Sequence, residues 1–161
     1  MSPTRYYDFR FGDQPAGSFE ITDDGREIRM NAIFEMQGER YENPFALRYT
    51  GERVTAYQTA DGPWTVVPAD HHPTSAYPLL VPRVRDRLVY RAIREGDGSD
   101  LGETLLVREG DTVTETRGGQ VVRVFRLDAQ GAIIAIDWGG GATSTLRADR
   151  RTALAGSPLA E

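Results

Sequence analysis

Arg29-Met30-Asn31-Ala32-Ile33-Phe34-Glu35-Met36 is the stretch that decides the fold class. Met30, Ala32, Phe34 and Met36 fall on one side of an extended chain, with Arg29, Asn31 and Glu35 on the other. Successive side chains of a strand point to opposite faces, so this alternation buries one face and wets the other. A helix would scatter the same apolar set around its axis. The pattern recurs outward in both directions. Tyr7, Phe9 and Phe11 alternate with Tyr6, Asp8 and Arg10, and Leu88, Tyr90 and Ala92 alternate with Val89, Arg91 and Ile93.

Turn signals punctuate these runs at Asp24-Gly25, Asp61-Gly62, Gly110-Asp111, Gly118-Gly119 and Gly139-Gly140-Gly141. Such spacing gives about ten to twelve strands, with room for one short helical turn within 81–95. An antiparallel sheet of that width must close, curl or split to bury its apolar face. The expected fold is therefore all-β: a single antiparallel meander curved into a barrel or half-barrel around a hydrophobic cavity. Residues 1–150 form this one domain. The Ala/Gly/Ser/Pro-rich stretch 151–161 is expected to be a flexible tail.

Two pairs of segments also run alike. GSFEITDDGREIRMN from Gly17 parallels GETLLVREGDTVTET from Gly102, and FALRYTGERVTAYQTADG from Phe45 parallels FRLDAQGAIIAIDWGGG from Phe125. Either an internal duplication or a generic meander produces such matches. On the first account, two meanders flank an insert, Asp70 to Asp100, that holds both histidines.

Composition removes several kinds of chemistry. The 161 residues include no cysteine, which excludes thiol nucleophiles, disulfides and thiolate metal sites. All 19 basic residues are arginine, so lysine Schiff bases and lysine general bases are excluded too. A net charge of −5 disfavours a nucleic-acid partner. The N-terminal MSPTRYYDFRF has no apolar run of a signal peptide's roughly 7–15 residues, and no segment approaches the ~20 of a membrane span. A cytoplasmic location is expected on that basis.

The opening YDFRFGDQPAGSFEI, Tyr7 to Ile21, resembles the first hairpin of bacterial lipoprotein-localisation-like and DUF3108-like β-proteins. The overall pattern is similar to calycin-like barrels. The resemblance implies a curved antiparallel sheet enclosing a hydrophobic cavity, used by some such proteins to bind lipids and by others to catalyse cyclisations.

Candidate chemistry is sparse. Asp70-His71-His72 brings the only two histidines together after an acid. A polar surface loop is the simpler account, and a histidine acting as general acid/base at a cavity mouth is the functional one. Neighbouring residues on a strand face opposite ways, and no HxH or HExxH spacing occurs, so no metal site is expected. By elimination the acid/base candidates are His71 and His72, then Tyr77 and Asp8, since a phenol or carboxylate needs burial to titrate near neutrality. Asp8 and Arg10 share a face and read most simply as a solvated ion pair. The cavity wall or floor is expected to include Phe34, Phe45, Leu47, Trp64 and Phe125. Gly139 to Gly141 lacks the Lys-Ser/Thr of a phosphate loop, and no GxSxG elbow or dinucleotide fingerprint occurs. The expected function is binding of a hydrophobic small molecule without a cofactor. The alternative is a cofactor-independent cyclase, isomerase or lyase acting on a hydrophobic substrate in the same cavity.

Overall fold

The alternating runs become strands that pair with their neighbours along the chain through tight turns, most of them two residues long. The structure, a computed structural model, describes residues 4–160. One meander comprises β1 (Thr4–Phe11), β2 (Gln14–Asp23), β3 (Glu27–Met36), β4 (Glu39–Thr50), β5 (Arg53–Thr59) and β6 (Thr65–Val66). After the short β7 (His71–Pro73), a second comprises β8 (Arg87–Ile93), β9 (Asp100–Glu109), β10 (Thr112–Arg117), β11 (Gln120–Leu127), β12 (Ile133–Gly139) and β13 (Ala142–Arg147). Strand makes up 61% and helix 10%, which places the chain in the all-β class as the alternation predicts.

All thirteen strands belong to one sheet, ordered β6-β5-β4-β3-β2-β1-β13-β12-β11-β10-β9-β8-β7. The meanders join where β1 pairs antiparallel with β13, in a register that sets Tyr7 opposite Leu146 and Phe11 opposite Ala142. The similar segments noted above fall on β2–β3 and β9–β10, and on β4–β5 and β11–β12. Those pairs hold equivalent positions in the two meanders. The count exceeds ten to twelve because β6 and β7, of two and three residues, are too short to show alternation.

The sheet curls but does not close, which corrects the closed-barrel form of the expectation. β5 and β7 stand near opposite ends of the ladder and yet touch, and inward side chains from both meanders share one hydrophobic core. No ladder bridges them. β7 pairs parallel with β8 and ends at Pro73, which has no N–H to offer another strand.

The inside of the curl is filled by residues 74–83, a 3₁₀ turn (Thr74–Ala76), helix α1 (Tyr77–Leu80) and a second 3₁₀ turn (Val81–Arg83). Pro78 and Pro82 lie in the first positions of these turns, where the missing N–H has no intrahelical partner to lose. Ala76, Leu79 and Val81 are fully buried. The 3₁₀ turn Val81–Arg83 falls within the 81–95 stretch expected to hold a helical turn, while α1 and the first 3₁₀ turn precede that stretch and 87–93 is strand β8. On the outer side, α2 (Arg150–Leu154) is capped by Asp149, whose side chain accepts from Thr152 N at 2.8 Å. It lies against β1, β2 and β13 with Ala153 buried, and Arg150 bonds Glu20. The stretch expected as a tail therefore begins within α2. Among the described residues, no helix is long and apolar enough to cross a membrane.

Candidate functional site

Five strands send their inward aromatic and apolar side chains to one opening. Phe9 of β1, Phe19 of β2, Met30 of β3, Phe45 of β4 and Trp138 of β12 surround a cavity of about 280 Å³, and Tyr77 of α1 forms part of its wall. The small Ala32 widens that wall. Ring contacts hold it in shape. Phe19 and Tyr77 each meet the Trp138 indole edge-on, at 5.6 and 5.5 Å between centroids. The indole is oriented by donation from Nε1 to Ser144 Oγ at 2.8 Å.

Local sequence explains the tight curvature here. In the ladder Gly17 stands opposite both Phe9 and Phe34, and a β-bulge follows at Phe9/Arg10. A side chain at Gly17 would collide with β3, since its Cβ would lie 2.0 Å from the Ile33 carbonyl oxygen. Glycine lets β3 close in, and the Phe9 and Phe34 rings stack across it at 5.2 Å.

Polar groups, Asn43 among them, also line this apolar space. Arg123 lines it together with Thr74 and Ser75. Its Nε donates to Glu115 Oε1, and its Nη2 donates to the Thr74 carbonyl at 2.7 Å. Glu115 is 0% exposed and also accepts from Arg117 Nη2 at 3.2 Å, while Arg117 Nε donates to Thr104. Glu95 takes the hydroxyl protons of Thr74 and Ser75 and the Ser75 N–H. The Arg123 guanidinium lies 5.0 Å from the Tyr77 ring centre and 5.4 Å from that of Phe125. Burial by itself would lower the Arg123 pKa, but the adjoining Glu115 carboxylate outweighs it and holds the value above the ordinary one. Arg123 is thus a fixed cation. Burial pushes the Tyr77 and Tyr90 phenols well up, so both stay protonated and serve only as hydroxyls.

Sequence reasoning does not single out Glu115 and Arg123. They are direct cross-strand partners across the Gly118-Gly119 turn. The available signal is an acid and a base spaced about that turn, each sharing a face with apolar neighbours, Val113 and Phe125.

The structure divides the predicted residues. Phe45 and Tyr77 are on the cavity. Phe34 is beside it, stacked between Phe9 and Tyr41. Phe125 and Leu47 are sealed in the core at 0% exposure, Phe125 behind Tyr77 at 5.6 Å. Trp64 is not in the wall. It lies on the outer face with the Arg48 guanidinium 3.7 Å from its ring centre, because Arg48 alternates away from the inward Leu47. Asp8 is also on the outer side, 3% exposed, taking both Arg147 Nε and Nη2 and the Thr145 N–H. A carboxylate so occupied and so placed has no access to the aromatic cavity.

His71 and His72 point apart, as adjacent strand residues must. His71 Nδ1 is 2.8 Å from the Ala69 carbonyl oxygen, and its Nε2 is 3.9 Å from Asp100. His72 lies edge-on to Tyr90 and borders a different opening, of about 390 Å³, with Glu52, Leu80 and Arg87. Burial, then the charge of Arg53, lowers its pKa, and its Nδ1 is buried without a hydrogen-bond partner. A third opening of about 420 Å³ lies among the turns near Gly25 and Gly131, bordered by Arg5, Asp23 and Arg83. Among the described residues, no cluster of three or more histidine, aspartate or glutamate side chains is arranged to hold a metal ion.

No family model matches this chain. No curated protein matches it significantly. A solved structure of a DUF1089 family protein from Pseudomonas aeruginosa is similar at 15% identity and a TM-score of 0.40, over 84% of this chain and 76% of that one.

Proposed function

We propose that the protein binds a hydrophobic small molecule in the aromatic cavity, with the curled sheet acting as a half-barrel around it. The observation that carries this is the composition of the wall: Phe9, Phe19, Met30, Phe45 and Trp138 border open space, with Asn43, Thr74, Ser75 and Arg123 as the polar members of the lining. Apolar surface left open in this way gains free energy when a ligand covers it, and a few convergent polar groups fix the ligand's orientation. The volume, about 280 Å³, suits a small occupant.

The enzymatic alternative, a cofactor-independent cyclase, isomerase or lyase, needs an acid or base on that cavity. Of the four expected candidates only Tyr77 borders it, and burial keeps that phenol protonated. Held protonated, Tyr77 can donate to a substrate oxygen there but does not act as a base, so that reading would rest on an acid alone.

The neutral fluorophore N-phenyl-1-naphthylamine tests the proposal. Saturable enhancement of its emission is expected with the wild-type chain, and loss of that enhancement in Ala32→Trp, whose indole fills the space. An unchanged circular dichroism spectrum would show that the variant keeps its fold. Equal enhancement in both proteins, or none in either, rejects the cavity as a binding site.

A further inference from the structure

Beyond apolar contact, the cavity has donors with nothing to donate to. Arg123 has five N–H groups. Its Nε is engaged by Glu115 and its Nη2 by the Thr74 carbonyl, while Nη1 meets no acceptor among the described residues. The Tyr77 hydroxyl likewise makes no hydrogen bond among them. Both residues line the aromatic cavity, where the Arg123 guanidinium lies 5.0 Å from the Tyr77 ring centre.

The acceptors nearby are already taken. Glu115 is shared by Arg117 and Arg123, and Glu95 is engaged by Thr74 and Ser75. Arg123 is also held from several directions, by an ion pair, a backbone carbonyl and two ring faces, so its fork does not reorganise to receive a ligand. An unmatched guanidinium N–H and an unmatched hydroxyl on the lining of one cavity suit a head group with two acceptor oxygens.

We propose that the occupant is a hydrophobic carboxylate, with its head group received by Arg123 Nη1 and the Tyr77 hydroxyl and its apolar body lying against Phe9, Phe19, Phe45 and Trp138. This rests on the cavity being the binding site. A charged head at a buried guanidinium gains far more than an alcohol of the same length, since charge-assisted hydrogen bonds are about twice as strong as neutral ones.

The test is displacement of N-phenyl-1-naphthylamine by decanoate and by 1-decanol at a pH where decanoate is ionised. Decanoate is expected to bind ~10–100-fold more tightly than the alcohol. Arg123→Met should bring the two affinities together, and Tyr77→Phe, which strands no buried charge, should narrow the ratio by ~3–10-fold. Should Arg123→Met fail to fold because Glu115 loses a partner, the wild-type ratio and Tyr77→Phe still decide. Equal displacement by acid and alcohol, or a ratio unmoved in the folded variants, overturns the carboxylate while leaving a hydrophobic site in place. Absence of any probe binding removes the site and the carboxylate with it.

Discussion

Replacing Gly17 by alanine is expected to destabilise this protein out of proportion to the single methyl group added. The new Cβ would lie 2.0 Å from the Ile33 carbonyl oxygen, 2.6 Å from Phe34 Cα and 2.8 Å from Phe34 Cβ. Two of these are backbone atoms of the paired strand, so no side-chain rotation relieves the contact. Ordinary van der Waals separation begins at 3.4 Å, and β3 would have to retreat by more than an ångström. That retreat loosens the β2–β3 ladder at its Gly17–Phe34 end and parts the Phe9–Phe34 stack. Overpacking of this kind costs about 3 kcal/mol, and for a chain of this length each kcal/mol moves Tm by roughly 2–4 °C. A fall of about 6–12 °C should follow in a thermal melt followed by circular dichroism. Gly96→Ala is the matched control, since nothing lies within 4 Å of the position its new methyl would take and its φ is not in the left-handed region. It should be neutral or slightly stabilising. Equal melting temperatures for the two variants would refute the steric account of Gly17.

Asp8→Asn should lower stability by about 2 kcal/mol in urea unfolding, because it uncouples a buried carboxylate from Arg147, yet leave probe affinity unchanged; a clear loss of binding would place Asp8 in the site after all. Tyr49 gives an alkaline signature. Burial and then its bond to Asp23 push its pKa from 10.0 up to about 12. The unfolded phenol ionises first, so the stabilisation is complete below pH 10 and drains away as pH rises through about 12. Tyr49→Phe should make the alkaline decline shallower, the buried phenols of Tyr77 and Tyr90 supplying the remainder, and parallel wild-type and variant curves would count against the assignment.

What sequence can disclose here depends on how far apart the partners lie. Alternation in Arg29–Met36 names the face that becomes cavity wall, because a strand's two faces are written within a few residues. Trp64 eludes that reading since β6 is only two residues long and carries no alternation to say which way its surroundings face. Asp8 reads naturally as a mate for Arg10, two residues on. Its true partner, Arg147, is 139 residues away and is brought close only by the β1–β13 pairing. The Glu115–Arg123 pair lies between these cases. One hairpin suffices to make it, but its burial depends on the whole curl. The open ladder is hidden for a similar reason, since closure turns on whether two short end strands find each other.

The junction of the meanders has a consequence for how the molecule is made. β1 lies in the middle of the finished ladder, flanked by β2 and β13. A ribosome delivers β1 and β2 early and β13 more than a hundred residues later, so one side of β1 remains an unpaired edge through most of synthesis. Exposed edges of this sort invite pairing with other chains, and a contact of such long range is slow to form. The interval between translating β2 and β13 is therefore when nascent copies are most apt to join one another, with Tyr7 and Phe9, later buried or part-buried inside the curl, on the strand that is left waiting.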